Sequence, residues 1–108
     1  MTTEKIDNIS VITQANVYFD GKCISHGITL ADGTKKSVGV LLPATLTFNT
    51  GTAEIMECVG GACEYKLPGA DNWLTSSAGE SFSVPGNSTF EIRVAPAFDA
   101  YHYICHFA

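Results

Sequence analysis

The chain has 108 residues, 45 % of them apolar and 16 % charged, with a formal net charge of −5. That length builds one domain around one core, and the composition is that of a globular rather than a disordered chain. The acidic balance argues against nucleic acid and against an anionic membrane surface, both of which reward a basic face. No apolar run approaches the roughly 20 residues of a membrane-spanning helix. Residues 1–8 lack the apolar core of a secretory signal, which makes the cytoplasm the expected compartment. Cys23, Cys58, Cys63 and Cys105 form no Cys-x-x-Cys pair, and most of them stand among apolar strand residues. They are expected to be buried free thiols, not disulfides or zinc ligands.

Residues 1–14 are polar with a weak apolar scatter at Ile6, Ile9, Val11 and Ile12. They are predicted to be an extension able to add a strand or a turn to a partner chain, and residues 15–108 are the domain proper. Strands are predicted over 15–19, 23–30 and 36–42, with Asp20-Gly21 and Asp32-Gly33 turns between them. Residues 44–49 alternate, with Thr45 and Thr47 opposite Leu46 and Phe48. Residues 54–59 carry Glu54, Met56 and Cys58 on one face, and Gly60-Gly61 is predicted to turn the chain into a further strand over 62–67. After a loop through Pro68-Gly69, Trp73-Leu74-Thr75 resumes a strand.

A hairpin is then predicted. Phe82 and Val84 share one face of its first strand, Pro85-Gly86 turns, and Phe90, Ile92 and Val94 share one face of its second strand with Thr89, Glu91 and Arg93 opposite. In the last strand, 99–107, Tyr101, Tyr103, Cys105 and Phe107 alternate with His102, Ile104 and His106. Turn signals recur about every 8–12 residues and no stretch has a helical period, which reads as an all-β sandwich or barrel with no significant helix.

The spacing Gly79-x5-Pro85 resembles the start of the second motif of cupins, small jelly-roll barrels, and Glu54 with the following Gly61 resembles the end of their first. Most cupins hold a metal through histidines and a carboxylate at fixed motif positions. With Gly39 as the opening glycine, those positions fall here on Thr45, Thr47, Glu54 and Phe90. One carboxylate without imidazole partners cannot form the usual facial triad, so no metal is expected. Four stretches narrow the resemblance further: Tyr18-Phe19-Asp20-Gly21-Lys22, Ser37-Val38-Gly39-Val40, Phe82-Ser83-Val84-Pro85-Gly86-Asn87-Ser88-Thr89-Phe90 and Tyr103-Ile104-Cys105-His106-Phe107. In order and approximate spacing they resemble the pyrimidine/purine nucleoside phosphorylases, a family of short metal-free cupins, over residues 15–107.

This resemblance implies a single-domain cupin barrel that cleaves purine and pyrimidine nucleosides with inorganic phosphate, giving free base and ribose 1-phosphate. Phosphate is then a co-substrate and no other cofactor is implied. Such a reaction needs donors for phosphate, a carboxylate near the positive sugar and an aromatic wall for the base. Glu54 is the candidate catalytic carboxylate, on the inward face and beside Thr45 and Thr47 on an adjoining strand. Thr45, Thr47, Phe90 and Tyr103 are candidates for substrate binding, although an aromatic on the face of Phe90 or Tyr103 is more often core than a base-stacking wall. Lys22, Ser37 and Arg93 are candidates for phosphate, with Lys36 a further cation to test. Arg93 lies on the face opposite Phe90 and also reads as a surface charge. The residues alone, which include no nucleophile–base pair, fit a non-catalytic small-molecule-binding cupin as well. Exposed strand edges lead to the expectation of a homodimer.

Overall fold

A computed structural model describes residues 3–107; Met1, Thr2 and Ala108, the ends of the predicted extension and domain, lie outside the described residues. Its strands are β1 (Ser10–Val11), β2 (Asn16–Tyr18), β3 (Cys23–Thr29), β4 (Lys35–Leu41), β5 (Ala44–Asn49), β6 (Glu54–Lys66), β7 (Leu74–Ser77), β8 (Ser81–Val84), β9 (Thr89–Val94) and β10 (Tyr101–Phe107). Short 3-10 turns occupy Phe19–Gly21 and Pro96–Phe98, and no α-helix is present among the described residues. Among the described residues no helix is long and apolar enough to cross a membrane.

All pairings are antiparallel and curl into a half-barrel of two facing layers, the cupin architecture. The first layer runs β3–β4–β10–β6–β8, with β1 and β2 both added to the outer edge of β3. The second runs β5–β9–β6–β7. Strand β6 belongs to both, its residues 54–61 to the first layer and 62–66 to the second. The predicted turn at Gly60-Gly61 is therefore a bend within one long strand. Opposite β10 the register slips between His102 and Tyr103, which pair with Gly60 and Cys58 and leave Val59 as the extra residue of a bulge. A bulge bends a strand and increases its twist, which carries β6 from one layer to the other. Gly61 has φ +67°, and a Cβ there would stand 1.8 Å from the Ala100 carbonyl oxygen, so only glycine fits the corner.

The predicted β8–β9 hairpin does not form. β8 pairs with residues 54–57 of β6, whereas β9 pairs with β5 and the far end of β6. Pro85-Gly86 thus takes the chain across the barrel instead of back along a neighbouring strand. Thr50 holds this crossing: its hydroxyl donates to the Pro85 carbonyl at 2.7 Å and accepts from the Ser88 amide at 3.0 Å. Alternation assigns each strand its inward face but carries no information about which strand lies beside it.

The inward faces follow that alternation. Cys23, Leu41, Met56, Cys58, Phe82, Val84, Tyr101, Tyr103 and Cys105 from the first layer meet Leu46, Phe90, Ile92 and Val94 from the second. Burial of each large apolar side chain stabilises the fold by about 1.5–3 kcal/mol. All four cysteines are buried and free. The N-terminal segment lies on the outside of the first layer, where β1 pairs with Ile28 and Thr29 of its own chain and Thr3 donates a hydrogen bond to Glu57.

Candidate active site

Lateral pairing sets the inner face of the first layer in rows. Ser25, Gly39, Tyr103 and Cys58 share one row, and Ser37, Cys105 and Met56 share the next. Glu54 follows at the strand ends, flanked by Phe107 on β10 and Val84 on β8. Over these rows the two layers leave an open cavity of about 470 Å³. Its first wall is polar: Ser25, Ser37, Tyr103, Cys23, Cys105 and Glu54. Its second wall is apolar and aromatic, with Phe48, Phe90 and Ile92, while Tyr18, Phe19 and Phe107 surround the mouth.

The aromatic wall is a connected stack. Phe48 lies 5.6 Å from Phe90 at an interplanar angle of 27°, and Phe19 meets Phe48 edge-on at 5.4 Å. Phe19 has φ +53°, rare for a bulky residue, and the adjacent Asp20 has φ +55°. This turn swings the Phe19 ring over the mouth and across to the second layer. Backbone outliers of this kind gather where function holds them.

Tyr103 lies flat against the backbone of β4. A Cβ at Gly39 would be 2.7 Å from its hydroxyl oxygen and 2.6 Å from the Ile24 carbonyl, so the ring takes the space a side chain would fill. Its hydroxyl stands 3.9 Å from the Cys23 sulfur, and burial pushes its pKa well up. Burial also raises the pKa of Glu54, against the weaker opposite effect of a hydrogen bond with the Cys105 thiol. The Cys105 thiol is itself pushed up to about 12, chiefly by burial and then by the nearby Glu54 carboxylate. The thiols of this wall are accordingly protonated at neutral pH and serve as weak donors, not nucleophiles.

Five of the sequence-predicted positions come together here: Glu54, Thr47, Phe90, Tyr103 and Ser37 all line the cavity. The other three do not. Thr45 is exposed and pairs across the strands with Arg93, both on the outward side because Leu46 and Ile92 fill the inward side. Arg93 bonds Glu64 at 3.0 Å and lies 4.1 Å over the Trp73 ring. Lys22 is exposed at the end of the Phe19–Gly21 turn. The expectation that Thr45 and Thr47 adjoin Glu54 is corrected, since β5 pairs with β9 and not with the Glu54 end of β6. Lys36 also points away from the cavity, with its ammonium 2.7 Å from His106 Nδ1 on the outer face.

Sequence reading missed Ser25, Asn49 and the mouth aromatics Tyr18, Phe19 and Phe107. The parity of Cys23 signals Ser25, two residues on. Nothing in an alternation pattern signals Phe19, whose position depends on a left-handed turn.

Cupins commonly carry a metal, and the donor set tests whether one fits here. Of the positions that would supply ligands, Thr45 and Thr47 are exposed, Phe90 has no donor atom, and only Glu54 remains. The histidines are not drawn to the cavity: His26 bonds the Ile12 carbonyl, His106 bonds Glu57 and Lys36, and His102 is exposed. Among the described residues no group of three or more histidine, cysteine or acidic side chains converges. The described residues do not fit a cupin metal.

Fold and cavity together define a small cupin whose barrel cavity is polar on one wall and aromatic on the other. The family model described as pyrimidine/purine nucleoside phosphorylase matches residues 13–107. Curated proteins of that name are similar over nearly the whole length: one from Polaromonas naphthalenivorans is 86 % identical over 100 % of both chains, and one from Paracidovorax citrulli 76 % over 99 % of each. A solved structure, that of a protein of unknown function from Acinetobacter sp. ADP1, superposes with a TM-score of 0.91 at 42 % identity, covering 96 % of this chain and 98 % of that one. The chain belongs to the pyrimidine/purine nucleoside phosphorylase family.

Proposed function

We propose that this protein is a nucleoside phosphorylase of broad specificity that works without a metal. A phosphate oxygen attacks C1′ of the ribose and the C1′–N bond breaks. The bonding pair leaves with the base, which takes up a proton, and ribose 1-phosphate remains. The observation that carries this reading is the pairing of an aromatic wall with a polar wall holding one carboxylate. The Phe19–Phe48–Phe90 stack offers the base a π-surface. Stacking tolerates every base because each has a π-face, which accounts for purines and pyrimidines in one cavity. Across from it, Ser25, Ser37 and the Tyr103 hydroxyl face the space a ribose would take. The Glu54 carboxylate stabilises the positive charge that grows on the sugar as the base departs. Its half-buried setting strengthens that attraction relative to water.

The absence of metal chemistry from the proposal rests on the donor set described above. A cytoplasmic location is part of the same reading, supported by four free buried thiols of the kind a reducing compartment preserves. So is a homodimer, supported by the unpaired edge of β5 and by exposed Val17 and Ile55; light scattering that returns the mass of one chain at micromolar concentration would remove it. The catalytic reading is tested by incubating the protein with uridine and inorganic phosphate and following phosphorus resonances. A growing ribose 1-phosphate signal is the expected result. Free ribose in its place would make the enzyme a hydrolase and overturn the proposal.

A further inference from the structure

The cavity presents an electrostatic problem. Among the described residues its single charged lining residue is Glu54, a carboxylate, yet the proposed co-substrate is a phosphate anion. Two negative groups in a largely apolar cavity repel strongly, and a phosphate held there needs a cation. The chain has six lysines and arginines in all. Arg93 is held by Glu64 and Trp73, Lys66 by Glu91, Lys36 by His106, and Lys5 pairs with Asp7 in the N-terminal segment. That leaves Lys22 and Lys35, whose side-chain ammonium groups form no hydrogen bond or ion pair among the described residues.

Strand parity separates these two. In β4, Ser37 and Leu41 line the cavity, so Lys35 has the same inward parity while Lys36 and Val38 face out. His106 of β10 pairs with Lys36, which sets Lys35 beside Phe107, and Phe107 pairs with Glu54 on the next strand. Lys35 is thus one inward position beyond Ser37, about 7 Å along the strand, in the row that ends at Glu54. Its side chain is exposed, so the ammonium is free to swing on its four-carbon stem toward the mouth. Lys22, by contrast, sits outside the strand at the opposite end of the rows, beside Cys23 and Leu41.

We infer that Lys35 is the phosphate-binding cation of this cavity, holding the anion at the mouth between its ammonium and the Ser37 hydroxyl. This rests on the phosphorolysis proposed above. The attacking phosphate then enters from the Glu54 end of the first layer, with its charge neutralised before it meets the sugar. Lysine suits the role because a compact ammonium on a flexible stem follows phosphate inward and releases the product.

The test is steady-state phosphorolysis of uridine by the wild type, Lys35→Ala, Lys35→Arg and Lys22→Ala, with phosphate and nucleoside varied separately. The expected result is a KM for phosphate raised about tenfold or more in Lys35→Ala, the usual loss for one charge-assisted hydrogen bond. The nucleoside KM and the melting temperature should stay near wild type, and Lys35→Arg should restore most of the loss. An unchanged phosphate KM in Lys35→Ala would overturn the inference, as would a rise confined to Lys22→Ala. Wild-type protein that releases base at the same rate without phosphate would instead overturn phosphorolysis itself, so the two failures are distinguishable.

Discussion

Replacing Gly39 by alanine probes the site most directly through its framework. The added methyl would lie 2.6 Å from the Ile24 carbonyl oxygen, 2.7 Å from the Tyr103 hydroxyl and 2.9 Å from the Tyr103 ring carbon beneath it. The Ile24 oxygen is backbone in the paired strand β3, so it yields only if β3 and β4 part; the ring yields only by moving into the cavity. Overpacking of this kind typically costs about 1–3 kcal/mol. An unfolding entropy of about 2.1 cal/mol/K per residue converts that to a fall in Tm of about 4–13 °C for a chain of this length. Thermal unfolding followed by circular dichroism measures the fall, and the nucleoside KM should rise as Tyr103 intrudes on the polar wall. In a Tyr103→Phe background the hydroxyl contact is gone while the ring-carbon and carbonyl contacts remain, so the same substitution should cost less but still destabilise. Coupling between the two sites should exceed about 0.5 kcal/mol, as for residues in contact. A Gly39→Ala protein with wild-type Tm and KM would refute the placement of Tyr103 against β4.

Glu54→Gln keeps the shape of the carboxylate and removes its charge; kcat should fall about 10²-fold or more, the usual scale for one electrostatic stabiliser, measured by uridine phosphorolysis. Because burial raises the pKa of Glu54 above its unfolded value, the carboxyl favours folding at low pH and that contribution is lost as pH rises through the raised pKa. Unfolding of Glu54→Gln should therefore show a gain in stability over wild type above that pKa and none below it. The acid limb of the activity profile should also lie above the ordinary carboxylate range. Phe48→Ala removes the middle ring of the aromatic stack and should raise the KM for inosine and uridine together, by roughly tenfold for a stacking contact of about 1–3 kcal/mol. Arg93→Gln breaks the bond to Glu64 and the contact with Trp73 on the outer surface; phosphate KM should not move, and stability should fall by no more than about 1 kcal/mol.

Face assignments were readable in the sequence because period-two alternation is a local property. Phe90, Ile92 and Val94 face in and Arg93 faces out, as the pattern indicates, and the same holds for Tyr101, Tyr103 and Cys105. Strand neighbours were not readable, because pairing depends on contacts far apart in the chain. Pro85-Gly86 looks like a hairpin turn yet joins two layers, and Gly60-Gly61 looks like a turn yet is a bend inside one strand, next to a bulge at Val59. The cavity was half visible for the same reason. Glu54, Ser37 and Tyr103 follow from parity, whereas Phe19 depends on a positive φ that no side-chain pattern encodes. Lys35 and Lys36 show how narrow the margin is. They are adjacent and chemically identical, and strand parity separates them: Lys36 pairs with His106 on the outer face, while Lys35 shares the inward parity of Ser37.

Metal-free phosphorolysis of both nucleoside classes is the activity proposed for this cavity. The measurement that tests it most directly is base release from uridine and from inosine, each with and without inorganic phosphate, by EDTA-treated protein. The expected result is uracil and hypoxanthine release that requires phosphate and is undiminished by EDTA. Release that EDTA abolishes and a divalent metal restores, or no release from either nucleoside, would contradict it.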